Sequence, residues 1–385
     1  MFFGVFFILI FSALIVIQLA KGYRPDFDTR SFKPTGLLSA TSLPVGAQIL
    51  VNNQLKGATD NTIFLTPGEY NVEIKKEGYT SWQKHLKIEK ELVTGANAWL
   101  FPIVPDLKAL TFTGAQNPIL SPDGTKVVYL VSGTNMLKNG LWVLDLTELP
   151  FLTKEPRLIL KTPTKGVDYT KGQYSWSIDS KQILLTFKNG KYEDNYLLDP
   201  NNETLPIALV NITPTLPLIK KQWENEQKER TKQKLEKLPD ELIEFFNSST
   251  DNIVFSPDDK KIMYTATTSG QLKEGLVPEV PASSTQPQER NIKPNRTYVY
   301  DIKEDRNFFI TDQKQPLWLP TSLHLYSVEK DKFIIKEYDN TNSVTAYAGP
   351  FENSFAYPFP SGARLLVLTS LGKNSPSNLY SVSLR

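Results

Sequence analysis

Two different hydrophobic periods divide this chain. Residues 2–20 are an apolar run broken only by Gly4, Ser12 and Gln18. As one helix those 19 residues would rise about 28 Å, close to the ~30 Å hydrocarbon thickness of a bilayer. No Lys or Arg precedes Phe2, and Ile17-Gln18-Leu19-Ala20 is a poor cleavage site. The run therefore predicts a retained transmembrane anchor, residues 1–22, rather than a cleaved signal peptide. Residues 23–35 read as a short spacer. Beyond residue 36 the period becomes two: Ile49 and Val51 share one face of a short segment, and Val72 with Ile74 repeat the pattern one hairpin later. Such alternation predicts half-buried strands. Gly46, Gly57, Gly68 and Gly78 punctuate them, with a turn expected over residues 53–57 and another at Pro67-Gly68.

The order of these elements carries a family likeness. Leu43-Pro44-Val45-Gly46-Ala47, then Thr66-Pro67-Gly68-Glu69-Tyr70, then Lys76-Glu77-Gly78-Tyr79-Thr80-Ser81-Trp82 resembles the PEGA domain. The resemblance implies a small β-sandwich over residues 36–102, of a kind used on microbial surfaces beside envelope or signalling proteins. Two positions depart from the family pattern. Val45 stands where the name-giving glutamate lies, and Gly57-Ala58-Thr59-Asp60 replaces a Gly-x-Thr-Pro turn.

From residue 103 a longer unit recurs. Ser121-Pro122-Asp123-Gly124, Ser177-Ile178-Asp179-Ser180 and Ser256-Pro257-Asp258-Asp259 each join two apolar segments. An aromatic strand follows, ending at Asp145, Asp199 or Asp301. A degenerate copy runs through Phe359-Pro360-Ser361-Gly362, and residues 323–326 and 333–338 could form part of another. This resembles the WD40-like repeats of TolB-type β-propellers and implies sheets stacked around an axis over residues 103–385. About five blades are recognisable, and the strand at residues 109–113 could instead help close a sixth. The repeated aspartates read as turn formers.

Two insertions interrupt the repeat. Residues 217–248 place Leu235, Leu238, Leu242 and Phe245 at three- and four-residue steps, which predicts a helical hairpin interrupted at Pro239. Residues 274–296 are rich in Pro, Ser and Gln, and predict a disordered loop. The fold class is therefore mostly β: an N-terminal transmembrane helix, a small PEGA-like β-sandwich, and a β-propeller with a helical insertion.

Composition narrows the chemistry. A net charge of +2 gives no reason to expect a nucleic-acid partner, and the absence of cysteine removes disulfides, thiolate metal sites and a cysteine nucleophile. His85 and His324 are the only histidines and fall in different domains, and no serine elbow, phosphate loop or dinucleotide fingerprint occurs. No catalytic residue, metal ligand or cofactor is expected. The candidate ligand or partner contacts are aromatic: Tyr79, Trp82, Trp99 and, on the helical insertion, Trp223. Such rings either stack on a sugar or pack two domains together.

The expected function is that of a membrane-anchored, non-enzymatic envelope protein whose body, outside the cytoplasm, binds a cell-wall glycan or an envelope protein. Lys21 and Arg24 just after the helix argue weakly for the opposite orientation. The alternatives are a propeller-type hydrolase or lyase acting on glycans, and a cytoplasm-facing sensor or scaffold.

Overall fold

A computed structural model describes residues 2–20, 22–26, 31–148, 155–162, 168–205, 208–278, 280, 284–372 and 375–385. Helix α1 (Phe2–Ala20) forms over the predicted apolar run, and its large side chains, such as Phe3 and Phe7, are exposed. No helix among the described residues is long and apolar enough to cross a membrane. The structure thus supplies the helix without supporting the span: its 19 residues rise about 28 Å, slightly under the ~30 Å core.

The expected spacer is structured. Gly22, at φ 86°, ends α1, donating its NH to the Leu19 carbonyl while the Tyr23 NH reaches Gln18. This is the double closure that a left-handed glycine permits. The chain then enters a hairpin, Arg24–Asp26 with Ser31–Lys33.

Residues 36–99 fold into two facing sheets. Gly36–Leu43 sits between Asn61–Leu65 and a parallel partner, Val93–Trp99. The second sheet runs Gln54–Ala58, Gln48–Val51, Gly68–Lys75, Trp82–Ile88. Ile49, Val51, Val72 and Ile74 fill the space between, joined by Leu38, Trp82 and Leu86. Asn52 and Asn53, both at positive φ, make the tight turn, so residues 54–57 of the expected turn lie in the strand Gln54–Ala58. Asparagine tolerates that conformation better than most residues, and a two-residue turn of this kind matches strand twist. Gly46 and Gly78 have positive φ as expected; Gly68 simply opens its strand.

Beyond them, the described residues make five antiparallel meanders. Their strands at one edge are Gln116–Leu120, Gln173–Trp176, Thr250–Phe255, Leu317–Trp318 and Ala356–Pro358. Leu107–Ala109 does not begin a sixth sheet. It pairs with the last strand, Asn378–Ser383, as the outer strand of the fifth blade, so the two ends of the domain close the ring. Each blade repeats one turn. The backbone NH of Ser121, Ser177, Ser256, Leu319 and Phe359 donates to the carbonyl of Lys126, Gln182, Lys261, His324 and Arg364 in turn. The fourth turn residue, Gly124, Ser180, Asp259, Ser322 or Gly362, lies at φ between 58° and 70°.

Within three of these turns the Ser121, Ser177 and Ser256 hydroxyls donate to Asp123, Asp179 and Asp258 at 2.6, 2.6 and 2.7 Å. Burial works to raise these carboxyls, but the hydroxyl and backbone bonds outweigh it and hold all three below the ordinary aspartate value. Asp145, Asp199 and Asp301 accept from backbone NH groups two residues on. All six aspartates have structural partners.

Blades are joined by a recurring latch. Ser180 and Ser322 accept the NH of Asp123 and Asp258 in the preceding blade, each at 3.0 Å. Trp176 and Trp318 donate Nε1 to the carbonyls of Ile119 and Val254. At the equivalent positions, blade 3 has Phe255 and Asp259. There Lys234 of helix α2 (Leu216–Leu235) lies 2.5 Å from Asp259 and over the Phe255 ring. Helix α3 (Asp240–Ser249) buries Leu242 and Phe246 against Tyr264 and Tyr300 of blade 3. Pro239 caps α3 rather than occupying its first turn. The apolar stripe of the insertion thus serves blade packing, while most of α2 faces solvent. Ser322→Ala leaves the Asp258 NH without its partner. Its expected cost is about 1 kcal/mol in a urea titration, and a loss of only a few tenths would mean that water replaces the hydroxyl.

The segment expected to be disordered, 274–296, is largely ordered in its described residues. Asn291–Ile292 pairs with Gly270–Gln271. Arg290, 9% exposed, donates to the carbonyls of Lys273 and Asp305 and lies 3.3 Å from the Asp305 carboxylate. One buried guanidinium with several acceptors supplies what the apolar-poor sequence could not.

Candidate functional site

Charged side chains converge where the β-sandwich meets blade 4. In the strand Trp82–Ile88 the even-numbered residues face inward, so Lys84 sits in line with Trp82, Leu86 and Ile88. The strand Lys332–Glu337 of blade 4 ends against it. Lys84 Nζ lies 2.5 Å from Glu337 Oε2 and 2.5 Å from Asp339 Oδ2. Glu337 Oε1 accepts from Trp82 Nε1 and, at 2.9 Å, from Asn342 Nδ2. Asp339 Oδ1 accepts from the Thr341 NH and hydroxyl. Further bonds flank the cluster: the Gln83 NH donates to Asn342 at 2.9 Å, and Thr285 and Gln286 both donate to the His85 carbonyl.

One ammonium between two carboxylates leaves a net negative charge out of water. Burial pulls the Lys84 pKa down, but Glu337 and Asp339 reverse this and hold it above the ordinary lysine value. Burial also raises Glu337, and Lys84 offsets only part of that. Lys84 is therefore charged, and Glu337 accepts a proton more readily than an ordinary carboxylate.

His324 lies alongside. Its Nδ1 is 3.1 Å from the Thr321 hydroxyl, and its ring meets those of Trp99 and Phe101 edge-to-face, with centroids 5.7 and 5.9 Å apart. Burial, with the Lys84 charge adding to it, brings its pKa down to about 4. Near neutral pH it is an uncharged packing residue. Glu304, raised by burial, accepts the Ser284 NH at 2.8 Å. Between these groups lies a cavity of about 210 Å³, bounded by Lys84, Asn97, Glu304, His324 and Glu337.

The aromatic residues singled out from sequence divide. Trp82 and Trp99 are at the seam, the first buried, the second half-buried with Arg385 over its ring. Tyr79 is beside it, half-buried, forming an isolated bridge to Pro102. Trp223 is half-exposed on α2. Sequence reasoning missed Lys84, Glu337, Asp339 and Asn342. Asp339 had a signal, since it follows an aromatic strand as Asp145, Asp199 and Asp301 do. Lys84 had none, because its partners lie 253 and 255 positions further along.

The cluster is saturated. Both Glu337 oxygens and both Asp339 oxygens have donors, and no group of three or more potential metal ligands occurs among the described residues. As arranged, it joins two domains.

Comparison with known proteins separates the two. Residues 35–102 match the PEGA domain. The PEGA domain here is thus the sandwich that carries Trp82, Lys84 and Trp99. No curated protein matches the chain. Among solved structures, TolB from Acinetobacter baumannii is 14% identical, with 96% of this chain and 67% of that chain covered at a TM-score of 0.19. The β-propeller domain of the Trilobed protease from Pyrococcus furiosus is 11% identical, covering 91% and 95% at 0.20. An oligogalacturonate lyase in complex with manganese is 10% identical, covering 88% and 86% at 0.21. Scores this low add nothing to the sheet orders, which define the five blades by themselves.

Proposed function

We propose that this is a membrane-anchored, non-catalytic scaffold of the cell envelope, whose PEGA domain and propeller act as one rigid body toward a protein or glycan partner. The saturated Lys84–Glu337–Asp339 joint carries the reading. Two converging carboxylates, one with a raised pKa, are what a glycoside hydrolase would need. Here a lysine and four other donors occupy them, so the pair holds the domains in register instead of awaiting a substrate. The PEGA match supports the envelope setting. Helix α1 supports the anchor: its large apolar side chains are exposed, and a bilayer accommodates a slight length deficit by thinning locally.

Full-length protein mixed with phospholipid vesicles is expected to float with the lipid and to retain isolated envelope material. It is expected to release no product from glycan or peptide substrates; saturable turnover would overturn the scaffold reading. Orientation is tested through the absence of cysteine. A Met136→Cys variant, at an exposed position of blade 1, is expected to react with an impermeant maleimide on intact cells. Labelling only after lysis would put the body in the cytoplasm.

A further inference from the structure

We infer that the surface at the foot of α1 seats the PEGA domain on the lipid headgroup layer in one fixed orientation. This rests on the membrane reading above and adds to it a second contact, made by the folded body.

The helix is fastened to the domain rather than strung from it. Its last turn is closed by Gly22 and Tyr23, and the Thr35 hydroxyl donates to the Gly22 carbonyl. Thr35 in turn accepts the Glu91 NH, from the connection between the strands Trp82–Ile88 and Val93–Trp99. A helix ending this way cannot swivel freely on its neighbour.

The residues around that junction have the character of a bilayer interface. Phe32 and Phe64 are 40% and 43% exposed. The Arg24 guanidinium lies 3.8 Å over the Phe64 ring, and the Lys90 ammonium 5.1 Å from the centre of the Tyr23 ring. Lys33, paired in register with Arg24, is exposed beside Phe32. Rings flanked by cations suit the headgroup layer, roughly 5–8 Å thick on each side, where aromatic faces meet acyl ends and cations meet phosphate. Lys90 also lies 3.5 Å from Glu91, so part of its charge is already matched. The occupant is therefore the phosphate-bearing headgroup layer in general, with anionic lipid adding only modestly.

The test uses full-length Phe32→Cys and Phe64→Cys variants, each carrying an environment-sensitive fluorophore, in vesicles with a quencher on the lipid headgroup. Met136→Cys is the reference. Both collar positions should be quenched several-fold more than the reference, and Arg24→Glu with Lys90→Glu should reduce that difference. Protein that floats with vesicles yet shows equal quenching at all three positions would overturn the seating while leaving the anchor intact. Protein that does not float would overturn both.

Discussion

Replacing Lys84 by Met is expected to lower stability by about 3–5 kcal/mol near neutral pH, the usual cost of stripping one partner from a buried ion pair. The side chain is only 13% exposed, and its removal leaves Glu337 and Asp339 facing each other with no counter-charge. Urea titration of the two proteins checks the figure. The loss should shrink as pH falls, since Glu337, already raised by burial, can then take a proton. A double variant, Lys84→Met with Glu337→Gln, should recover part of it. In the parent protein the pH window lies at the other end. Because the folded-state value of Lys84 is raised, its contribution is complete below the ordinary lysine pKa and is lost as pH rises through the raised value. Equal stability of parent and Lys84→Met would mean that the seam contributes nothing to folding.

Acidification should act through His324. An unfolded histidine takes a proton near pH 6.5, whereas the buried ring resists until about pH 4. Between those values the unfolded state binds more protons, so stability falls as pH falls. The interval corresponds to about 3 kcal/mol. Asp123, Asp179 and Asp258 respond in the same direction, since their values are lowered and their contributions are lost as pH drops through them, whereas Glu304 and Glu337, raised by burial, act in the opposite direction. The histidine share is isolated by comparison with His324→Asn, which can still bond Thr321. The difference in stability between pH 7 and pH 4 should be smaller in that variant by about 3 kcal/mol. Identical pH profiles would show that the ring is reached by water. His324 lies near Lys84 and Asp339, so a protonated ring adds positive charge at the domain joint.

Much of the fold was legible because it is local. Strand alternation at Ile49 to Val51 and Val72 to Ile74 needs only neighbours in sequence, as does the apolar run that becomes α1. The Ser-Pro-Asp-Gly turn announced three blades clearly because serine and aspartate bond to each other within four residues. The fourth blade was nearly hidden: Leu319-Pro320-Thr321-Ser322 makes the same backbone turn without the aspartate. Where local rules were applied to composition alone, they failed. Residues 274–296 look too polar to order, yet Arg290 meets Asp305 and ties the described residues around it to the blade.

By itself, then, the sequence determined the classes of element, the PEGA-like sandwich, the repeating blade and the lack of thiol chemistry, all of which follow from short-range patterns and counts. Only the tertiary structure decided that the described residues make five blades, since closure depends on Leu107–Ala109 meeting Asn378–Ser383. It alone brought Lys84 to Glu337 and Asp339. Pairings between residues so far apart leave no periodic trace, because what selects them is the geometry of two finished surfaces and the cost of leaving a buried charge unpaired.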